Sequence, residues 1–350
     1  MTSRQRVLAV FEHQLPDRVP MWCGASQEFW DKCKTQLQLD DEGLRRRFHD
    51  DFRRVLARYA GPPMVLQHKD AVSRTIFGVE RHGMGYGQPL DHPLAGASLQ
   101  QVHDYPWPDP DWMDISHIRS EAAAWAGQYA ILGGDWSPFF HDAIDLMGME
   151  GLYLAMFDHP EVVDAMMTHM VDYYAAVSRR VFDAAADVID VFFIANDLGS
   201  MTGPLLSAEM FKRFILPHTR RLIELGHDYG LYVQMHCCGG FAELIPLLVE
   251  AGLDALHSVQ PSCRGMDLRA LKTLFGDRIV FNGAIDSHRV LIDGTPETVI
   301  RDTREVLDIM MGGGGYIGGA SHDTILEQTP VENVLAMFDT LEDYGVYEKA

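Results

Sequence analysis

Residues 231–240 read LYVQMHCCGG, an apolar run that ends in His236, Cys237, Cys238 and two glycines. The whole chain has only five cysteines, so two side by side after a histidine suggest chemistry. On an extended chain, residues i and i+2 share a face, so His236 and Cys238 can enter one site while Cys237 points away. Imidazole and thiolate together suit zinc. The glycines then let the backbone turn sharply. The same residues also fit two small thiols packed beside a loop, because free cysteine is commonly buried. Catalytic zinc takes three protein ligands and keeps one position open, so a third ligand must come from elsewhere in the chain. His322 is the first choice, with Cys263, Asp197 and Glu150 behind it. Cys263 lies in the loop QPSCRGMD and would bind only if that loop folds over the site.

Other polar residues stand where apolar runs end. Asn196, Asp197 and Asp135 are candidates for moving protons or orienting a ligand. Asp197, in NDLG, equally suits a helix cap. Cys23, Gln260, Asn282 and Asp286 occupy comparable positions after other runs. His68 and His141 read as surface residues. The four glycines at 312–315 could cradle a phosphate, but they better fit the end of a helix and the start of a strand.

The elements that must position these groups repeat along the chain. Short apolar runs at 18–24, 128–135, 187–197, 231–237, 253–259, 278–286 and 315–323 each end in polar residues. A further strand is expected between 52 and 85. Near-continuous apolar strands are what a parallel sheet buried on both faces requires. Helical patterns separate them. Thr329 with Pro330 and Glu332 predicts a capped helix start, Thr295 with Pro296 another, and Ser207 a third that Pro217 should bend or break. About eight strand–helix units predict one α/β domain over residues 1–350: a (β/α)8 TIM-type barrel. An N-terminal helical extension is expected to wrap its mouth partly. In such a barrel the site lies at the C-terminal strand ends, where the polar residues above converge. No Gly-x-Gly-x-x-Gly follows the first run, which weakens a dinucleotide-binding reading.

Composition narrows the partners. Fifty acidic residues against 29 basic ones give a formal net charge of −21, which argues against nucleic acid. No run approaches the roughly 18 apolar residues of a membrane span. The run VLAVF near the start is too short for a secretory signal, and Glu12 and His13 interrupt it. An odd number of cysteines without such a signal predicts free thiols and a cytoplasmic setting. A homodimer is compatible with the sequence.

Several long stretches carry a family resemblance: RQRVLAVFEHQLPDRVPMW, NDLGSMTGPLLSAEMFKRFILPHTRRLIE, HCCGGFAELIPLLVEAGLDALHSVQP and MDLRALKTLFGDRIVFNGAID. The C-terminal stretch from LIDGTPETV through GGASHDTILEQTPVEN extends it over nearly the whole chain. The sequence resembles the uroporphyrinogen decarboxylase superfamily, and within it the zinc-dependent, corrinoid-linked methyltransferases of the methylcobamide type. True decarboxylases resembling it carry an N-terminal motif like Met-Arg-Gln-Ala-Gly-Arg. The corresponding PMWCGASQEFWDK has no arginine, and binding several carboxylates without guanidinium groups is implausible in so acidic a chain. The methyltransferase branch implies His-x-Cys after the fifth strand, matched by His236 and Cys238, and a Cys after the last, where this chain offers His322 in GGASHDT.

The resemblance therefore implies Zn2+ and methyl transfer between a small methyl donor or thiol acceptor and a corrinoid held by a partner protein. The alternatives are a decarboxylase or lyase for a smaller substrate, with Asp197 and His322 moving protons, and a non-catalytic corrinoid- or metal-binding accessory protein.

Overall fold

The computed structural model describes residues 1–64, 68–83 and 88–347. Seven parallel strands form one sheet: β1 (Phe52–Arg54), β2 (Ala130–Gly133), β3 (Val191–Ala195), β4 (Tyr232–His236), β5 (Ala255–Val259), β6 (Val280–Ile285) and β7 (Tyr316–Ala320). Each strand lies beside its successor in sequence, as right-handed strand–helix–strand units require.

The two edges meet across residues 20–22. On one side the Trp22 N–H donates to Gly318 O at 2.9 Å and the Gly318 N–H to Pro20 O at 2.8 Å. On the other, the Asp51 N–H donates to Met21 O at 3.0 Å. This stretch closes the sheet into a (β/α) barrel, but as a single bridge at Met21 rather than the strand expected over 18–24. Pro20 has no N–H for a ladder, and the Met21 N–H is taken by the Asp51 carboxylate at 2.8 Å. Asp51 is fully buried and also accepts from Arg6 and Arg18, both at 2.8 Å, so the closure is tied by charge.

Helices fill the connections. After β2 run Phe139–Met147, Met149–Asp158 and Pro160–Ala185; after β3, Leu216–Asp228; and Val331–Tyr344 closes the chain after β7. Ser207 accepts from Met210 N and Thr295 from Thr298 N, as their sequence contexts predict. Before Pro217 the helix widens into a π turn over Phe211–Ile215, because proline cannot donate the next helical bond. Thr329 does not cap: the last helix begins at Val331, and Pro330 precedes it without a side-chain cap bond. Thr329 is buried instead, and its carbonyl accepts from Lys32.

The N-terminal extension divides its roles. The helix Ser3–Phe11 plugs the bottom of the barrel rather than the mouth. Its Val7, Val10 and Phe11 join Ala130, Val191, Ala255 and Val280 in one buried cluster, and Phe11 stacks on Tyr232, the first residue of β4, at 4.8 Å. An antiparallel ribbon of His68–Arg74, Glu80–Gly83 and Gln88–Pro89 reaches the mouth instead, where Arg81 pairs with Asp145. The His68 side chain lies outside the described residues. The 312–315 glycines turn the chain into β7 at the bottom, where Gly315 O accepts from Phe281 N at 3.0 Å, far from a mouth site.

Candidate metal centre

Strand alternation decides what reaches the mouth. Along β4, Tyr232, Gln234 and His236 face the barrel axis, while Val233 and Met235 join the outer core. Gln234 is fully buried and accepts from Asn282 Nδ2 of β6 at 3.2 Å. Asn282 therefore belongs to a polar layer beneath the site, not to its open face. Two residues further along β4, His236 arrives at the rim with Cys238 beyond it.

The sulfur of Cys238 lies 3.2 Å from His236 Nε2. Asp197 completes a trio: its Oδ1 accepts from the Cys238 N–H at 2.9 Å and stands 3.4 Å from His236 Nε2. Ligand atoms of Asp197, His236 and Cys238 all lie within 4.8 Å of one another. Cys237 turns into the core, where its sulfur accepts from Leu198 N at 3.3 Å. The i, i+2 split read from the sequence is thus present in space.

A second trio shares His236. The Nδ1 atoms of His236 and His257 are 3.1 Å apart, and Asp323 Oδ1 is 3.9 Å from His257 Nδ1. His236, His257 and Asp323 also meet the 4.8 Å limit. His257 is fully buried, packed against Trp22 at 4.9 Å and Phe193 at 5.3 Å. Burial and its imidazole neighbours hold its pKa well below the usual histidine value. His257 and Asp323 were missed in the sequence, although the run LDALHSV carries His257 inward by the same alternation that delivers His236.

His322 comes to the same rim, its ring 6.5 Å from that of His236, but it is in neither trio. Its Nδ1 is tied to the Thr324 backbone at 3.1 Å. Burial lowers its pKa. Cys263 sits near Met201 and Gln260, 3.5 and 3.7 Å away, and is outside both trios.

Glu150 is misplaced by the sequence reading. It is exposed in the first turn of Met149–Asp158, beside a surface dip lined by Tyr153, Leu154 and Phe157. It is outside both trios.

The remaining candidates have identifiable work. Asn196 is fully buried, and its Oδ1 accepts from Phe140 N at 2.9 Å, fixing the start of the helix Phe139–Met147. Gln260 Oε1 accepts from Gly239 N at 2.5 Å and holds the loop after Cys238. Asp286 caps the turn after β6 by accepting from His288 and Arg289. Cys23 is buried outside both trios, and burial beside Asp50 raises its pKa. Asp135 lies just beyond β2, with its pKa pushed up to about 6 by burial. Asp142, which accepts from the Tyr174 hydroxyl at 2.5 Å, is pushed up to about 7 for the same reason.

Three recesses take a wall from this rim. One of about 220 Å³ is lined by Trp136, His141, Asp142, Asn196, Asp197 and His236. A second of about 350 Å³ reaches His322, Gln260 and Asp286, and a third of about 180 Å³ reaches Arg54, Trp22 and Asp323. The donor set suits zinc: one imidazole, one thiol and one carboxylate converge, with a cavity on the open side. Burial and Asp197 hold the Cys238 thiol protonated well above its usual range, an environment that only a cation would make favourable for thiolate.

Known proteins resemble this architecture. A solved methyltransferase from Methanosarcina mazei aligns over 98% of this chain and 99% of its own, with a TM-score of 0.65 and 17% identity, and thereby shares the fold. In sequence, the methylated-thiol–coenzyme M methyltransferase of Methanosarcina mazei is 24% identical over 74% of this chain and 70% of its own length. The uroporphyrinogen decarboxylase of Syntrophotalea carbinolica is 26% identical over 53% of this chain. The methylcobamide:CoM methyltransferase of Methanosarcina acetivorans is 21% identical over 54%. The chain spans about half the length of these last two relatives, 49% and 51%. The model of the uroporphyrinogen decarboxylase (URO-D) family matches residues 115–344, and the chain belongs to that family.

Proposed function

We propose that this protein is a zinc-dependent methyltransferase that moves a methyl group between a small donor or thiol acceptor and a corrinoid carried by a partner protein. The observation that supports it most is the convergence of Asp197, His236 and Cys238 on one point beside an open cavity. Two of the similar proteins are named as coenzyme M methyltransferases, which fits that donor set.

His236, Cys238 and Asp197 would hold the metal, with His322 across the opening. Bound zinc supplies Lewis acidity that favours a thiolate, or the anion left when a methyl group departs from oxygen or sulfur. The residues around it have separate tasks. Asp197 holds the Cys238 backbone in place through its 2.9 Å bond. His257 Nδ1, 3.1 Å from His236 Nδ1, orients that ring so that Nε2 points at Asp197 and Cys238. Trp136 walls the cavity 5.4 Å from His236 and excludes water from one side. Asp142 lines the same cavity with a pKa near neutrality, suited to holding or giving a proton there. In the donor direction these residues would face a methyl carbon–oxygen or carbon–sulfur bond whose electron pair would stay on the heteroatom, a reduced corrinoid of the partner serving as methyl acceptor.

A decarboxylase for a smaller substrate is the second reading, favoured by the family match and by the similarity to the Syntrophotalea enzyme. Uroporphyrinogen itself is disfavoured by the arginine-free segment 20–32. Metal analysis of the purified protein, followed by absorbance of reduced cobalamin with methoxy and methylthio donors, separates the readings. About one zinc per chain and donor-dependent cobalamin methylation are expected. A metal-free protein that releases carbon dioxide from small carboxylic acids would establish the second reading instead.

A further inference from the structure

Arg54 ends β1 and reaches into the barrel mouth, and neither the donor trios nor the barrel closure uses it. Its neighbour Arg53 is spent on Glu42 at 2.8 Å and on backbone carbonyls. Arg54 has no ion pair within 4.0 Å among the described residues. Its guanidinium lies over Trp136 at 4.9 Å and Phe193 at 5.2 Å. The acids that face it are Asp323 and Asp135, which act on it through space. In a chain with 50 acidic residues against 29 basic ones, a mouth arginine left with only aromatic partners is unusual.

The position carries the argument further. Trp136 is 5.4 Å from His236 and 4.9 Å from Arg54, so a single indole separates the guanidinium from the donor cluster. Arg54, Trp22 and Asp323 also line the recess of about 180 Å³ on that side. A planar guanidinium stacked on rings keeps its N–H edges directed outward for an anion, the geometry that favours bidentate oxyanion binding. The Arg54 side chain is open to solvent in the mouth, and an arginine remains charged at neutral pH.

We propose that Arg54 is the anchor for an acidic group, a carboxylate or a sulfonate, on the small methyl-bearing substrate, and so selects a short monoanion over neutral methyl ethers and thioethers. The inference rests on the methyl-transfer reading for the role of the substrate, but the anion site itself does not need the metal. The acid group lies against Arg54, and the methyl-bearing heteroatom extends past Trp136 toward His236. The recess is too small for a tetrapyrrole, and one guanidinium serves one acid group.

The test is calorimetric titration of the full chain, once zinc-loaded and once stripped with chelator. The probes are 3-(methylthio)propanoate, 2-(methylthio)ethanesulfonate and the uncharged 3-(methylthio)propanamide. One or both acids are expected to bind at least about 10-fold tighter than the amide in both preparations, the effect of a charge-assisted hydrogen bond. Which acid binds identifies the group. Arg54→Gln should bring the acids down to the amide level, and Arg54→Lys should retain part of the preference. Equal binding of acid and amide to the unaltered protein, no binding of any probe, or a preference that survives Arg54→Gln overturns the proposal. The wild-type comparison stands even if a variant fails to fold. A charge preference without zinc content would sink the metal reading alone, and zinc content without a charge preference would sink the Arg54 proposal alone.

Discussion

Exchanging Asp197 for asparagine isolates the charge of the proposed third ligand. The carboxylate has two neighbours in the site: Oδ1 accepts from Cys238 N at 2.9 Å and lies 3.4 Å from His236 Nε2. Asparagine keeps an acceptor for Cys238 N, so the loop stays in place while the anion is lost. A unit charge pair near 4 Å at an effective dielectric of about 20 interacts by about 4 kcal/mol, roughly a thousandfold in affinity. The Asp197 side chain is 20% exposed, so screening lowers this, and a fall of about 100–1,000-fold in zinc affinity is expected. Had Asp197 only supported the ligands, its loss would cost about 10–100-fold.

His322→Ala should cost less than about 10-fold, because its ring is 6.5 Å from His236 and its Nδ1 is engaged with Thr324. Cys263→Ser should change nothing measurable. Competition with a chromogenic zinc chelator at neutral pH reads all three, with circular dichroism to confirm folding. If Asp197→Asn binds within about 10-fold of the parent while His322→Ala loses zinc, the ligand is His322 and the argument from the Asp197 trio is wrong.

Three other outcomes follow from the same geometry. His257→Phe keeps a ring against Trp22 and Phe193 but removes the partner of His236 Nδ1; zinc affinity should drop about 10–100-fold, with little change in thermal midpoint. Asp51→Ala leaves Arg6 and Arg18 without their buried partner and frees Met21 N; urea unfolding should show a loss of about 3–5 kcal/mol, and a loss below about 1 kcal/mol would mean that the bridge at Met21 does not hold the barrel closed. Asp142 has a folded pKa raised to about 7, so its ionisation opposes folding as pH rises above the unfolded value. Asp142→Asn should be neutral below about pH 4 and increasingly stabilising up to about pH 7, and a stability difference that stays flat with pH would contradict the burial argument.

The sequence by itself determined the order of the strands from β2 to β7, because a parallel barrel buries both faces of each strand and writes that burial into continuous apolar runs. It also determined that His236 and Cys238 face one way and Cys237 the other, since period-two alternation is a local property of extended chain. The Thr295 and Ser207 caps and the break at Pro217 were legible for the same reason: each depends on neighbours within one helical turn.

What the tertiary structure decided concerns partners far apart in the chain. Asp197 read as well as a helix cap as a ligand, and only the pairing of β3 with β4 brings it to Cys238. His257 lies inside the run 253–259, and only the pairing of β4 with β5 sets it against His236. Arg54 ends a strand of three residues, too short to show a period, and its place over Trp136 exists only once the barrel has closed. Glu150 shows the converse: a carboxylate considered as a ligand is exposed in the first turn of a helix, because position along a helix does not by itself reveal which face turns toward the axis.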